Sequence, residues 1–210
     1  PDGTRILSAS GDKTVRLWSV GGAGPPQVFS FDDPLAMASF SDDGRRIAAA
    51  IDGLSIYYWG LGEEQRTVLS GHSDVIFTVR FSPDGRSLVS ASRDRSVRTW
   101  DIAGDRGRQV LRGHEGWVLA TSISADQARI ASGGRDSTVR LWSTDGSGAP
   151  EILRGHSGPV NDVDFSPDGK RLASGSSDGD VRIWDLVGGR APLVLKGHKR
   201  AVRSVAFSPD

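Results

Sequence analysis

Residues 71–112 read GHSDVIFTVRFSPDGRSLVSASRDRSVRTWDIAGDRGRQVLR, and Gly113-His114 then begins the phrase again. Working outward from this stretch, Gly-His recurs at Gly71-His72, Gly113-His114, Gly155-His156 and Gly197-His198, each 42 residues after the last. Tryptophan recurs at Trp18, Trp59, Trp100, Trp142 and Trp184, with spacings of 41, 41, 42 and 42. A turn phrase runs in phase with both: Pro1-Asp2-Gly3, Asp42-Asp43-Gly44, Pro83-Asp84-Gly85, Ala125-Asp126-Gln127, Pro167-Asp168-Gly169 and Pro209-Asp210. Three markers sharing one period define an internal repeat, and a period of this length means a stacked array.

Within one repeat the pattern is that of strands. Phe77-Thr78-Val79-Arg80-Phe81 alternates apolar with polar, the period of two that suits a sheet. Asp84-Gly85 makes a tight turn, because glycine tolerates positive φ there. Leu88-Val89-Ser90-Ala91 reads as a second strand, Val97-Arg98-Thr99-Trp100 as a third and Val110-Leu111 as a short fourth. Four strands of ~5 residues with four short connections fill such a period, and no segment shows helical amphipathicity. So small a sheet buries too little on its own and must stack on its neighbours. The expected class is all-β, with units at about 1–29, 30–70, 71–112, 113–154 and 155–196, and 197–210 supplying the first strand of a further or closing unit.

Composition removes several classes of function. The 210 residues carry 26 Lys plus Arg and 26 Asp plus Glu, and this balance speaks against a dedicated nucleic-acid binder. There is no cysteine, so disulfides, thiolate metal sites and cysteine nucleophiles are excluded. No apolar run approaches the ~18 residues of a membrane-spanning helix, so no membrane partner is expected. Neither a phosphate-binding Walker pattern nor Gly-x-Gly-x-x-Gly occurs, and no cofactor is expected. The chain opens inside a turn phrase, without a starting methionine or a secretory pattern. That points to a piece of a longer, cytoplasmic protein. Arginine outnumbers lysine 22 to 4, the bias of a GC-rich, bacterial source.

The units that read Gly71-His72 … Phe81-Ser82-Pro83-Asp84-Gly85 … Ser90 … Asp94 … Trp100-Asp101, and likewise Gly155 to Asp185, resemble the WD-repeat β-propeller family along the whole chain. The resemblance implies blades of four antiparallel strands, each repeat giving the outer strand of one blade and three inner strands of the next. It also implies a buried network of His, Ser, Asp and Trp in each blade. On matching positions these are His72, Ser90, Asp94 and Trp100; His114, Ser132, Asp136 and Trp142; His156, Ser174, Asp178 and Trp184; and Ser8, Asp12 and Trp18 with His198. The chemistry suits those types. An indole N–H needs an acceptor, a serine can accept it and donate onward to imidazole, and imidazole can donate to a carboxylate. Such a chain stabilises only when complete, since each orphaned group costs roughly 1–3 kcal/mol. The second repeat has Phe31, Ala49 and Gly53 at the three polar positions, so apolar packing is expected to hold it. Asp52-Gly53 still offers a turn there. Five repeats fit either a closed five-blade ring or an open arc of a larger propeller. The arc is favoured, because repeats of this kind usually build seven blades, and an open arc would invite self-assembly.

Several constellations have a bland reading that wins. The histidines fall one per blade, too far apart for a metal. Ser, His and Asp mimic a hydrolase triad, yet the serine sits mid-strand against tryptophan with no oxyanion site. Arg16, Arg98, Arg140 and Arg182 precede tryptophans by two, where long stems cover a sheet edge and pair with aspartate. The better site is the rim just after each Gly-His and just before each turn aspartate. It carries Trp117, Phe77, Arg93, Leu119, Arg135, Asn161 and Arg203, with Asp74, Glu115, Lys199 and Arg200 adding mixed charge. Trp117 stands out as an aromatic anchor in a loop. The expected function is a non-catalytic scaffold that presents this face to a protein or peptide partner, and a face of Trp, Phe and Arg suits a peptide or an acidic segment. The alternative is a ligand-sensing module of a multidomain signalling NTPase or kinase, and an enzyme is not expected.

Overall fold

The computed structural model describes residues 3–22, 24–51, 53–104 and 108–209. The predicted turn residues Pro1, Asp2, Asp52 and Asp210 lie outside the described residues. Blade 1 has three strands, β1 (Arg5–Ser10), β2 (Thr14–Ser19) and β3 (Gln27–Ser30). Blade 2 has four: β4 (Leu35–Phe40), β5 (Arg46–Ile51), β6 (Ser55–Gly60) and β7 (Thr67–Ser70). Blade 3 is β8 (Ile76–Phe81), β9 (Ser87–Ser92), β10 (Ser96–Asp101) and β11 (Gln109–Arg112). Blade 4 is β12 (Val118–Ile123), β13 (Arg129–Gly134), β14 (Val139–Ser143) and β15 (Glu151–Leu153). Blade 5 is β16 (Val160–Phe165), β17 (Arg171–Ser176), β18 (Val181–Asp185) and β19 (Leu193–Leu195). Every sheet is an antiparallel meander, as short hairpin connections require.

Two features of register place side chains. The second and third strands pair without a slip, setting Ile47 opposite Trp59, Leu88 opposite Trp100, Ile130 opposite Trp142 and Leu172 opposite Trp184. The first and second strands of blades 2–5 slip by one residue near the start, between Leu35 and Met37, Ile76 and Thr78, Val118 and Ala120, and Val160 and Asp162. A bulge of this kind re-aims the residue it leaves unpaired. In blades 3–5 that residue is Phe77, Leu119 or Asn161, the column singled out on the rim.

The core lies between blades, and Trp59, Trp100, Trp142 and Trp184 each pack on the blade before their own. Trp59 joins Val15 and Phe29 of blade 1; Trp100 joins Ala48, Ala50 and Ile56 of blade 2. Trp142 joins Val89, Ala91 and Val97 of blade 3; Trp184 joins Ala131 and Val139 of blade 4. Close stacking needs small residues on the second strands. A Cβ on Gly133 would come within 2.7 Å of Val160, and one on Gly175 within 2.7 Å of Val202. Burying an indole removes ~150–250 Å² from water, roughly 4–6 kcal/mol as an upper figure. That exceeds what a polar network adds, so apolar surface holds the blades together and hydrogen bonds set their geometry.

Among the described residues no strand pairing closes the ring, and the blades are compatible with an open arc. β1 pairs with β2 alone among them. Segment 201–209 is not a strand, although it runs along β16 where the first strand of a next blade would lie. Its backbone N–H groups are capped by the neighbouring blade: Val202 donates to the Ser176 carbonyl (2.9 Å), Val205 to Asp162 (3.0 Å) and Phe207 to Asp164 (2.8 Å). At the other end no described blade covers Trp18, which is 38 % exposed, against 2–6 % for the other four repeat tryptophans.

Candidate functional site

Blades 3–5 contain the same polar chain at the same lengths. In blade 4 the Trp142 indole donates to Ser132 Oγ (2.8 Å), Ser132 lies 2.8 Å from His114 Nε2, and His114 Nδ1 lies 2.9 Å from Asp136 Oδ2. Blade 3 repeats this with Trp100–Ser90 (2.8 Å), Ser90–His72 (2.7 Å) and His72–Asp94 (2.8 Å). Blade 5 has Trp184–Ser174 (2.8 Å), Ser174–His156 (2.8 Å) and His156–Asp178 (2.9 Å). The indole can only donate, so the serine hydrogen goes to Nε2, and the imidazole carries its proton on Nδ1 toward the carboxylate. The aspartate also ties down its turn. Asp94 accepts from the Ser96 amide (2.9 Å) and hydroxyl (2.6 Å), and Asp136 from those of Thr138 (3.1 and 2.7 Å). In blades 3 and 4 the hydroxyl two residues past the aspartate is a fifth member that the sequence reading missed, with the Asp-x-Ser/Thr spacing as its signal; blade 5 has Asp180 there, and only its amide donates to Asp178 (2.9 Å).

The electrostatics agree with neutral imidazoles at His72 and His156 and with ionised carboxylates at Asp94, Asp136 and Asp178. Burial pushes His72 and His156 below the usual histidine value, against the pull of their aspartates. Burial pushes the other way on Asp94 and Asp178, but hydrogen bonds from Ser96 and His72, and from Asp180, Ser157 and His156, win and bring each to about 2. Asp136 is likewise held below the usual range, burial being outweighed by His114 and Thr138. As a hydrolase triad the constellation is spent: Ser90, Ser132 and Ser174 are fully buried, with indole on one side and imidazole on the other.

Blade 1 is incomplete. Trp18 donates to Ser8 (2.8 Å), and Asp12 caps Thr14 through its amide (3.1 Å) and hydroxyl (2.6 Å). His198, grouped with them on sequence, lies exposed on the far side of blade 5, and among the described residues nothing joins it to Ser8 or Asp12. Closure of the ring would have been needed to bring them together. Blade 2 uses aromatic contacts instead. Phe29 and Phe31 approach Trp59 at 5.2 and 5.8 Å, and the Arg66 guanidinium lies 4.3 Å over Phe31. The Trp59 indole N–H is buried there without a partner. Its hairpin turns at Gly53, φ 66°, one residue earlier than the left-handed position at Arg95 (φ 66°) or Ser137 (φ 63°).

The arginines before the tryptophans serve the framework. A Cβ on Gly71, Gly113 or Gly155 would come within 2.7–2.8 Å of Nη1 of Arg98, Arg140 or Arg182, so each guanidinium packs against the glycine of a Gly-His pair. Arg140 also lies 3.8 Å from Asp136, and Arg16 lies 3.5 Å from Asp12.

The rim residues divide into three groups. Phe77, Arg93, Trp117 and Arg135 come together across the junction of blades 3 and 4. Both guanidinium carbons stand 4.3 Å from the Trp117 ring centre, and Phe77 packs at 6.0 Å. Trp117 is held in place because its carbonyl accepts the Arg135 amide (2.7 Å), while its half-exposed ring stays in reach of solvent. Arg93 sits 3.6 Å from Asp74, a solvent-exposed pair worth little. Leu119 is half-buried in the next bulge. Asn161 is committed inward, donating to Ser177 (3.0 Å) and to the Val202 carbonyl (2.8 Å), so it fastens segment 201–209 to blade 5. Arg203 is exposed on that segment, away from the Trp117 group. Among the described residues no three His, Asp or Glu side chains could hold a metal ion, and no helix is long and apolar enough to cross a membrane.

The model of the WD40 family (WD domain, G-beta repeat) matches residues 1–19, 62–101, 107–143, 150–185 and 189–210, well over half of the chain. Each complete match starts just before an outer strand and ends with the third strand of the next blade. The unmatched stretch 20–61 contains most of blade 2, where the polar chain is missing. No curated protein matches the sequence.

Proposed function

Because the chain belongs to the WD40 repeat family, whose members generally scaffold protein–protein interactions, we propose that it is a non-catalytic docking module for an acidic segment of a protein partner. The observation that carries this reading is Trp117 with two guanidinium groups at 4.3 Å, one from each of two blades. Stacking on an indole flattens and orients a guanidinium while leaving its N–H edge toward solvent, the arrangement that grips a carboxylate with paired hydrogen bonds. Because Arg93 and Arg135 are ordered before any partner arrives, less rotamer freedom is lost on binding. Phe77, thrust out by its bulge, supplies apolar contact beside the charge.

The test uses a fluorescent Glu-rich peptide with one aromatic residue, followed by anisotropy. Trp117→Ala is expected to weaken binding about tenfold or more, and Arg93→Ala with Arg135→Ala to weaken it and flatten its salt dependence. The melting temperature should change by less than about 2 °C in each case. A large fall in melting temperature for Trp117→Ala, with peptide affinity intact, would make the indole a brace between blades and end the proposal.

A further inference from the structure

On the rim opposite Trp117 the junctions between blades share a device, and one junction lacks it. The residue that opens β1, β5, β9, β13 or β17 is Arg5, Arg46, Ser87, Arg129 or Arg171, at the same register position, opposite Ser19, Gly60, Asp101, Ser143 and Asp185. From blade 1, Arg5 reaches blade 2, donating to the Gly44 carbonyl (3.1 Å) with its guanidinium 5.9 Å over Phe40. From blade 4, Arg129 donates to the Gly169 carbonyl (2.6 Å) and lies 5.8 Å over Phe165. Arg171 lies 5.8 Å over Phe207, and Arg46 stands against Gly85, where a Cβ would meet its Nη2 at 3.2 Å.

At the junction of blades 3 and 4 all three parts differ. Ser87 replaces the arginine, Ile123 the phenylalanine and Gln127 the glycine. Gln127 keeps the left-handed turn (φ 60°), a conformation glycine adopts more easily. With its amide nitrogen toward Asp84 it donates at 2.8 Å, so the side chain folds back to the turn of blade 3 and does not fill the gap. What remains is a cleft of about 410 Å³ floored by Val89, Ile123 and Ile130, within the range of ligand sites. Asp101, Asp126 and Asp145 stand at its mouth. Asp126 and Asp145 spend Oδ1 on their own turns, through Ser124 and Ala128 and through Ser143 and Ser147. Those bonds depress both acids, Asp145 to about 2, so both are anionic at neutral pH.

We propose that this cleft receives an arginine side chain from a polypeptide partner, in the place that the chain's own arginines occupy between the other blades. The apolar floor accepts the alkyl stem. The Gln127 carbonyl stands where Gly44 and Gly169 present theirs to Arg5 and Arg129, and the carboxylates at the mouth match the charge. The site is independent of the Trp117 rim, so either can fail alone.

The probe is the peptide acetyl-Gly-Arg-Gly-amide, titrated into the whole chain by calorimetry, with acetyl-Gly-Lys-Gly-amide and agmatine as controls. Saturable binding is expected, about tenfold tighter for arginine than for lysine. Ser87→Arg, which restores the internal occupant, should abolish binding and raise the melting temperature. Asp126→Asn with Asp145→Asn, which keeps the turn acceptors, should weaken binding about fivefold or more. Equal affinity of Ser87→Arg and the parent, equal affinity for the two peptides, or no binding to the parent each overturns the proposal. Agmatine binding as tightly as the arginine peptide would overturn the polypeptide occupant.

Discussion

Blades 2 and 4 solve one packing problem by opposite means. Both must bury an indole against the preceding blade. Blade 4 joins the Trp142 N–H to Ser132, His114 and Asp136, every polar group in turn receiving a partner. Blade 2 has dropped serine, histidine and aspartate together, surrounds Trp59 with Phe29 and Phe31, and leaves its N–H unpartnered. Both tryptophans are about equally buried, 2 % and 5 % exposed. The stacking of blades therefore requires the apolar surface of the indole and not the polar chain. What the chain adds is a fixed tie between the buried tryptophan and the rim hairpin. Asp136 holds that hairpin, and Arg135, beside Trp117, belongs to it.

The largest expected way to break this contrast is Ser132→Ala. It orphans the Trp142 N–H and His114 Nε2 at once, at about 1–3 kcal/mol each, so a loss of roughly 2–6 kcal/mol is expected in urea melts. Blade 2 already has alanine at the matching position, Ala49, and folds; a loss below ~0.5 kcal/mol for Ser132→Ala would mean that the network contributes nothing to stability.

Acid should separate the two kinds of blade next. His72 and His156 titrate lower folded than unfolded, so their contribution is present above the ordinary histidine value and fades as the pH falls below about 6.5. Asp94 and Asp178, at about 2, add a loss that begins as the pH falls below about 4–5 and runs down to about 2. The melting temperature should hold above pH 7 and drop by about 5–10 °C at pH 4. Hydrogen exchange, corrected for intrinsic rates, should show blades 3 and 5 loosening before β5 and β6. Uniform loosening would disprove the assignment.

The smallest effect tests the contrast from the other side. Ala49→Ser would give the Trp59 N–H an acceptor, and a gain of about 0.5–1 kcal/mol is expected. Destabilisation would show that blade 2 has no room left for polar chemistry.

Much of this was legible in the residues. The 18-residue step from His114 to Ser132 and the six-residue step from Asp136 to Trp142 led to side chains that do meet. Phe31, Ala49 and Gly53, standing at the three polar positions, likewise pointed to a blade held by apolar packing. Asn161 and Arg203 show where such reading stops. Column position alone puts them beside Phe77 and Leu119, but the amide of Asn161 is drawn inward by the Val202 carbonyl, a partner 41 residues away. The cleft between blades 3 and 4 was also written in the repeat, as Ser87, Ile123 and Gln127. It went unread because those positions lie 36 and 40 residues apart and only stacking makes them neighbours.

The repeat by itself determined that this chain makes short antiparallel sheets which must stack, since period-two strands and periodic turns leave each unit with an unburied face. The resemblance to the family implied the polar chain in blades 3–5, and the fixed spacing and the donor and acceptor capacity of those residue types agreed with it. Only the tertiary structure decided which rim arginines converge on one indole, and where an absent arginine leaves a cleft. Those depend on contacts between blades, and the strand pattern within a repeat carries no information about the distance across that gap.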